Sequence, residues 1–150
     1  MERTLVLVKP DGVQRGLVGE VISRLERTGL KLVAMKMVHL SRDKAEEHYG
    51  IHRGKPFFAG LVRFITSGPL VAAVFEGPKA VDIVRKAMGE TDPARSAAGT
   101  IRGDLALDIG RNIVHGSDSV ENAGQEIAAF FSADEVVSYE REVDGWIIES

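Results

Sequence analysis

The sequence contains no cysteine, which excludes disulfides, zinc–thiolate centres and thiol nucleophiles. No stretch approaches the roughly 18 consecutive apolar residues of a membrane helix. The opening run Leu5–Val8 is too short for the hydrophobic part of a signal peptide, and it ends in Lys9-Pro10-Asp11-Gly12. Neither sign of charge dominates: 19 Lys and Arg against 22 Asp and Glu leave a formal charge of −3. That balance argues against a general coat on nucleic acid or an acidic membrane, while leaving room for a local basic pocket. Tandem repeats and low-complexity segments are missing too. The expectation is a soluble, cytoplasmic protein that needs neither a membrane nor a nucleic acid as partner.

What is present is ordinary for a globular chain, with 44% hydrophobic and 27% charged residues. A chain of 150 residues is about one domain's worth, and such a fold buries on the order of two-thirds of its unfolded surface. A single domain over residues 1–150 is expected.

Thr4–Lys9 is a nearly unbroken apolar run rich in β-branched residues, as in a buried strand, and Pro10-Asp11-Gly12 predicts a turn. A helix follows with Leu17, Val18, Val21, Ile22 and Leu25 on one face. Leu30–His39 reads as a second strand, and Ser41 as the cap of a short helix reaching about Tyr49. Pro56 is placed to open a helix bearing Phe58, Leu61, Val62 and Ile65. Leu70–Phe75 is a third strand, followed by a helix with Val81, Val84, Ala87 and Met88 that Gly89 closes. Periodicity then vanishes to Arg111, and a connection that long is usually functional. Asn112–His115 is a short fourth strand; Ser119 caps a last helix whose inner face is Val120, Ala123, Ile127 and Phe131. Trp146-Ile147-Ile148 in the polar tail is expected to pack on the body or on a neighbour. Two strand–helix–strand units in so short a chain predict an α/β (α+β) fold: a ferredoxin-like split β-α-β sandwich, its four-stranded antiparallel sheet covered by helices.

Phosphate-binding loops are also wanting. Gly50–Lys55 resembles a P-loop but is one residue short, runs into Pro56 and follows no strand, and no G-x-G-x-x-G occurs. Of the four histidines, His48 and His52 have i, i+4 spacing but no convincing third ligand, so they read as solvated surface residues. His39, at a strand end, reads as partly buried and structural. His115 differs. It ends a strand in Asn112-Ile113-Val114-His115-Gly116-Ser117-Asp118, beside a small Gly and just before a helix N-terminus whose free amides attract phosphate. An imidazole is largely neutral at pH 7 and attacks without a separate base. Spacing alone leaves two readings for it, a nucleophile or a hydrogen-bonded strand-end residue. Lys9, Arg85 and Arg102 are candidate phosphate partners, and pairing of strands one and four would bring Lys9 towards His115.

The segment Asn112–Asp118 resembles the active-site signature of nucleoside diphosphate kinases. The likeness runs along nearly the whole chain, through Lys9–Gly12, His48-Tyr49, Pro56–Phe58, Gly89–Thr91 and Gly99–Asp104. It implies transfer of the γ-phosphoryl group of a nucleoside triphosphate to a nucleoside diphosphate in two half-reactions, through a pros-phosphohistidine on His115. It further implies that Glu126 orients that ring, that Ser117 joins the same cluster, and that Lys9 takes part in catalysis and in binding. Tyr49, Arg85, Thr91, Arg102 and Asn112 match groups that hold phosphates and sugar. Phe57 matches the aromatic on which the base stacks, with Leu61 and Ile109 lining the slot. Magnesium carried mainly by the phosphates, with no dedicated protein ligand, is the implied cofactor, and a homo-oligomer, hexamer or tetramer, the implied assembly. Many relatives have proline where Ala98 stands, a difference that bears on subunit contacts. Two rival functions are a nucleotide-sensing module without turnover, which would not need His115, and a nucleotide hydrolase, which would need a base to position water.

Overall fold

A computed structural model describes residues 1–149; Ser150, the end of the expected 1–150 domain, lies outside the described residues. The sheet has strands β1 (Glu2–Val8), β2 (Lys31–Val38), β3 (Leu70–Gly77) and β4 (Val114–Gly116), in the order β2-β3-β1-β4. Every pairing is antiparallel, which is the expected split β-α-β order.

β1 is central, and its alternation explains why the sequence shows an unbroken apolar run. Val6 and Val8 face one side, with Val71, Ala73 and Phe75 of β3. Leu5 and Leu7 face the other, with Ala72 and Val74. The first side is covered by α2 (Val18–Glu26) and α5 (Ala80–Met88) through Val21, Leu25, Val84 and Met88. The second is covered by α3 (Arg42–His48), α4 (Phe58–Ile65) and α7 (Val120–Phe130), through Ala45, Val62, Ile65 and Ile127. A strand buried on both faces loses the polar half of its pattern.

The structure corrects several expectations. Pro10-Asp11-Gly12 is not a simple turn but the start of a short helix, α1 (Pro10–Gln14), with Pro10 in its first turn, where a missing N–H costs nothing. Pro56 precedes α4 instead of opening it; a tight turn, Phe58 N–H to Lys55 O at 3.1 Å, comes first. The segment 89–111 is not structureless. It holds a 3₁₀ turn (Pro93–Arg95) capped by Asp92, and α6 (Ile101–Leu105) capped by Thr100. Both are under two turns long, too short for helical periodicity to register.

In α7 the Ser119 side chain accepts the Asn122 N–H as expected, yet Val120 is 56% exposed, because the first helical residue points away from the sheet. His39 is exposed, with Nε2 2.8 Å from Thr66 O. The tail runs back past β2, through Val137 N–H to Val33 O and Arg141 to Gly29 O, both at 2.9 Å. Within it, α8 (Asp144–Ile147) brings Ile147 onto Gly29 but leaves Trp146 92% exposed. Among the described residues, no helix is long and apolar enough to cross a membrane.

Candidate active site

β4 pairs with β1 so that His115 lies opposite Leu7. Cross-strand partners share a face, so the ring projects to the side covered by α3, α4 and α7. Val114 and Gly116 point the other way. A side chain at 116 would sit 2.8 Å from Met88 Sδ and 3.1 Å from Val84 Cγ1, so glycine there lets α5 press against the strand that carries the histidine.

Two turns into α7, Glu126 meets the ring: His115 Nε2 lies 3.2 and 3.1 Å from its two carboxylate oxygens. Ser117 donates its hydroxyl to Glu126 Oε1 at 2.5 Å and accepts the Leu5 N–H at 3.2 Å, which ties the carboxylate to the sheet. Burial by itself would raise the Glu126 carboxyl. The hydrogen bond and charge of His115 and the Ser117 hydroxyl outweigh it and hold the carboxyl below its ordinary value. An ionised carboxylate only accepts, so in the neutral ring Nε2 carries the proton and Nδ1 keeps the lone pair. That is the nitrogen the resemblance implies as nucleophile.

A second group surrounds Lys9 at the end of β1. Its backbone N–H donates to Ile113 O at 2.8 Å, and its ammonium donates to Asn112 Oδ1. Asn112 in turn donates Nδ2–H to Thr91 O at 2.9 Å. Arg102 is 7% exposed, and its guanidinium donates to the carbonyls of Asn112, Gly89 and Val114 at 3.3, 3.2 and 2.6 Å. Burial, aided by the nearby Arg85 charge, lowers it to about 10, so it stays cationic at neutral pH. Burial also draws Lys9 down to about 8; Asp11 opposes the fall, while Arg102 and Arg111 add to it. Positive charge is therefore concentrated here in a chain whose net charge is negative. Arg85 and Thr91 are exposed and share the wall of an open hollow with Gly89 and Glu90.

A third group is aromatic. Tyr49 and Phe57 both approach His52, with centroids 6.4 and 5.2 Å away, and Phe57 is 50% exposed. The Tyr49 hydroxyl is pushed up to about 12 by burial. Leu61 is half-buried on α4, and Ile109 is 56% exposed in the loop before Asn112.

Three residues escaped the sequence reading. His48, expected to be solvated, is half-buried with its ring edge-on to His115 at 5.3 Å, and burial, with the His115 charge, lowers it to about 4. The His48-Tyr49 pair of the family likeness is the available signal, and the likeness implies a role for Tyr49 alone. Arg111 stacks on Phe64 at 4.2 Å, beside Lys9. Asp11 accepts the Ile113 N–H on Oδ2 at 2.9 Å. That contact matters because Ile113 has φ 75°, an outlying value for a β-branched residue. Lys9 and Asp11 pin both backbone groups of Ile113, and Gly12 leaves room for it; a Cβ there would meet Val8 at 2.7 Å and Ile113 at 3.1 Å. The Lys9–Gly12 motif is thus the socket in which the backbone between Asn112 and His115 turns.

The family model described as nucleoside diphosphate kinase matches residues 2–136. A nucleoside diphosphate kinase of Thermomicrobium roseum is 62% identical over 148 residues, covering 99% of each chain. That of Archaeoglobus fulgidus is 62% identical over 149 residues, again with 99% of each covered. A halophilic nucleoside diphosphate kinase from Halobacterium salinarum, solved in complex with CDP, superposes with a TM-score of 0.96 at 51% identity, over 99% of both chains. With this likeness over 99% of its length, the chain belongs to the nucleoside diphosphate kinase family and is an enzyme of that kind.

Proposed function

We propose that His115 is the phosphoryl carrier. Nδ1 attacks the γ-phosphorus of a nucleoside triphosphate, the bond to the β–γ bridging oxygen breaks, and the nucleoside diphosphate leaves. A second nucleoside diphosphate then enters the pocket. Its terminal phosphate oxygen takes the phosphoryl group and returns the ring to its neutral form. Phosphorylation puts positive charge on the imidazole, and Glu126, facing Nε2–H, stabilises that charge as it develops. The observation that carries this reading is that pairing: with Nε2–H held by a carboxylate, Nδ1 is left free to attack.

Lys9, Tyr49, Arg85, Thr91, Arg102 and Asn112 hold the phosphates and sugar. Alignment and charge neutralisation are most of what phosphoryl transfer asks of a protein. These groups are basic or neutral, which fits a Mg2+ ion held by phosphate oxygens and water, not by a protein cage, and supplying further neutralisation when bound. Phe57, with Leu61 and Ile109, forms the base slot. Stacking on an aromatic face is tolerant of base identity, so a broad range of nucleosides follows. The CDP complex of the Halobacterium salinarum relative supports binding of diphosphates. A homo-oligomer belongs to the same reading. β2 is an edge strand, and Met35 and Met37 on it are 51% and 61% exposed, the kind of edge that pairing with another copy would cover. So does a cytoplasmic location, alongside the nucleotide pool.

The test is to mix the protein with γ-labelled ATP and no acceptor. Acid-labile label on the chain, discharged by added diphosphate and absent in His115→Ala, is expected. No label would favour a sensor, and free phosphate without label a hydrolase; either result overturns the proposal.

A further inference from the structure

Phosphoryl transfer as derived above assigns no task to His48. Its ring stands edge-on to His115 and also to Phe130, at centroid distances of 5.3 and 5.9 Å. Behind it, between α3 and α7, lies a cavity of about 360 Å³, whose wall includes Lys44, Glu47, His48, Asn122, Gln125 and Glu126. None of the phosphate-holding residues lines it. One nitrogen of His48, one nitrogen of His115 and one carboxylate oxygen of Glu126 all lie within 4.8 Å of one another.

We propose that these three side chains form a binding site for a borderline-soft divalent cation, of which Zn2+ is the type, and that its occupation switches the enzyme off. A tetrahedral ion with bonds near 2.1 Å spaces its ligands by about 3.4 Å, so ligand atoms within 4.8 Å of one another are closed on it by a movement of at most about 1.4 Å. His115 Nε2 and Glu126 already stand 3.1 Å apart, which leaves His48 as the group that moves. Two imidazoles and a carboxylate suit zinc, nickel or copper and are a poor set for magnesium, which prefers oxygen donors. The site is therefore distinct in chemistry from the nucleotide's own metal. It has a supporting shell, since Ser117 fixes the Glu126 carboxylate. The cavity gives the ion an approach that does not pass the phosphates.

Inhibition follows from counting one proton. A neutral imidazole has one ring N–H and one lone pair. In the catalytic arrangement the proton is on Nε2, facing Glu126. An ion bound at Nε2 needs that lone pair, so the proton moves to Nδ1, the nitrogen that must attack. Nothing is released or oxidised; the ring stays neutral and simply presents an N–H where the γ-phosphorus requires an electron pair. The loss falls on the chemical step, not on nucleotide binding. The metal site stands on its own geometry, whereas the inhibition rests on His115 Nδ1 as nucleophile.

Two measurements on the whole protein test this. In the first, Co2+ and then Zn2+ are titrated into the metal-free chain. The expected result is one equivalent bound, with the visible absorption of four-coordinate Co2+, and ring nitrogen resonances of two histidines moving on Zn2+ addition. Affinity at least tenfold weaker is expected in His48→Phe, which keeps a ring against His115 and lacks nitrogen. In the second, phosphohistidine formation from Mg2+–ATP is followed with and without one equivalent of Zn2+. A rate at least tenfold lower with zinc, unchanged nucleotide KM and recovery on adding a chelator are expected. Binding as tight in His48→Phe as in the parent, or histidine resonances that do not move, overturns the site. Should the variant not fold, the resonances decide alone. Full-rate labelling by the zinc-saturated chain overturns the inhibition. Absence of labelling without zinc refutes the carrier role of His115 and leaves the binding result intact.

Discussion

Glu126→Gln isolates the step on which the reaction is argued to depend. The substitution preserves shape and removes the charge that faces His115 Nε2 at 3.1 Å. A hydrogen bond to a charged group contributes about 1.5–3 kcal/mol, and each 1.36 kcal/mol of barrier is a factor of ten, which gives roughly 10- to 150-fold. The Glu126 side chain is 22% exposed, and water screens part of the interaction, so the lower part of that span, about 10- to 50-fold, is expected. A second effect acts in the same direction: a glutamine amide can donate to Nε2 and so favour the tautomer with its proton on Nδ1. The assay is a single-turnover measurement of phosphohistidine formation at saturating ATP, with a thermal melt to show that the fold survives. Loss of kcat with little change in KM is the expected pattern. A folded variant whose labelling rate stays within threefold of the parent would refute the view that this carboxylate sets the ring's tautomer and charge.

Lys9 titrates near 8 instead of 10.5 in the folded chain. The unfolded chain binds more protons across that interval, so this residue makes stability rise with pH between those values. Its charge on the phosphates is lost over the same interval, so kcat/KM is expected to fall above about pH 8. Asp11→Asn keeps an acceptor for Ile113 N–H but removes the charge that opposes Arg102 and Arg111, and the alkaline fall then begins at lower pH; an unmoved limb would contradict the assignment. Gly116→Ala forces a methyl against Met88 and Val84 and is expected to cost about 1–3 kcal/mol, a melting temperature lower by about 3–10 °C; an unchanged melt would show that α5 yields freely. Phe57→Ala removes the stacking surface and is expected to raise KM for all four nucleoside diphosphates by about 5- to 100-fold and evenly. A loss confined to one base would mean that base edges are read.

Much of the fold was legible because its signals are local. β1 shows as an apolar run since both its faces are buried, and Ser41 and Ser119 announce their helices by the chemistry of capping. The short elements at 93–95 and 101–105 were not legible, being held by caps and long-range contacts and not by a repeated apolar face. Lys9, Arg85 and Arg102 stand out as candidate phosphate partners from their places in the chain, whereas the proposed role of Glu126 comes from the family likeness, without which it is an ordinary acid on a helix.

The sequence by itself determined the sheet, the covering helices and the family, because strand burial, capping and a contiguous signature are written in neighbouring residues. Only the tertiary structure showed that Glu126 faces Nε2 of His115, that Asp11 holds Ile113 at its positive φ, and that His48 stands within 4.8 Å of His115 and Glu126. Each of these depends on side chains from separate elements meeting within a few ångströms. Residues 11 and 113, or 48, 115 and 126, are joined by sheet pairing and helix packing, and distances of that kind have no expression in local sequence pattern.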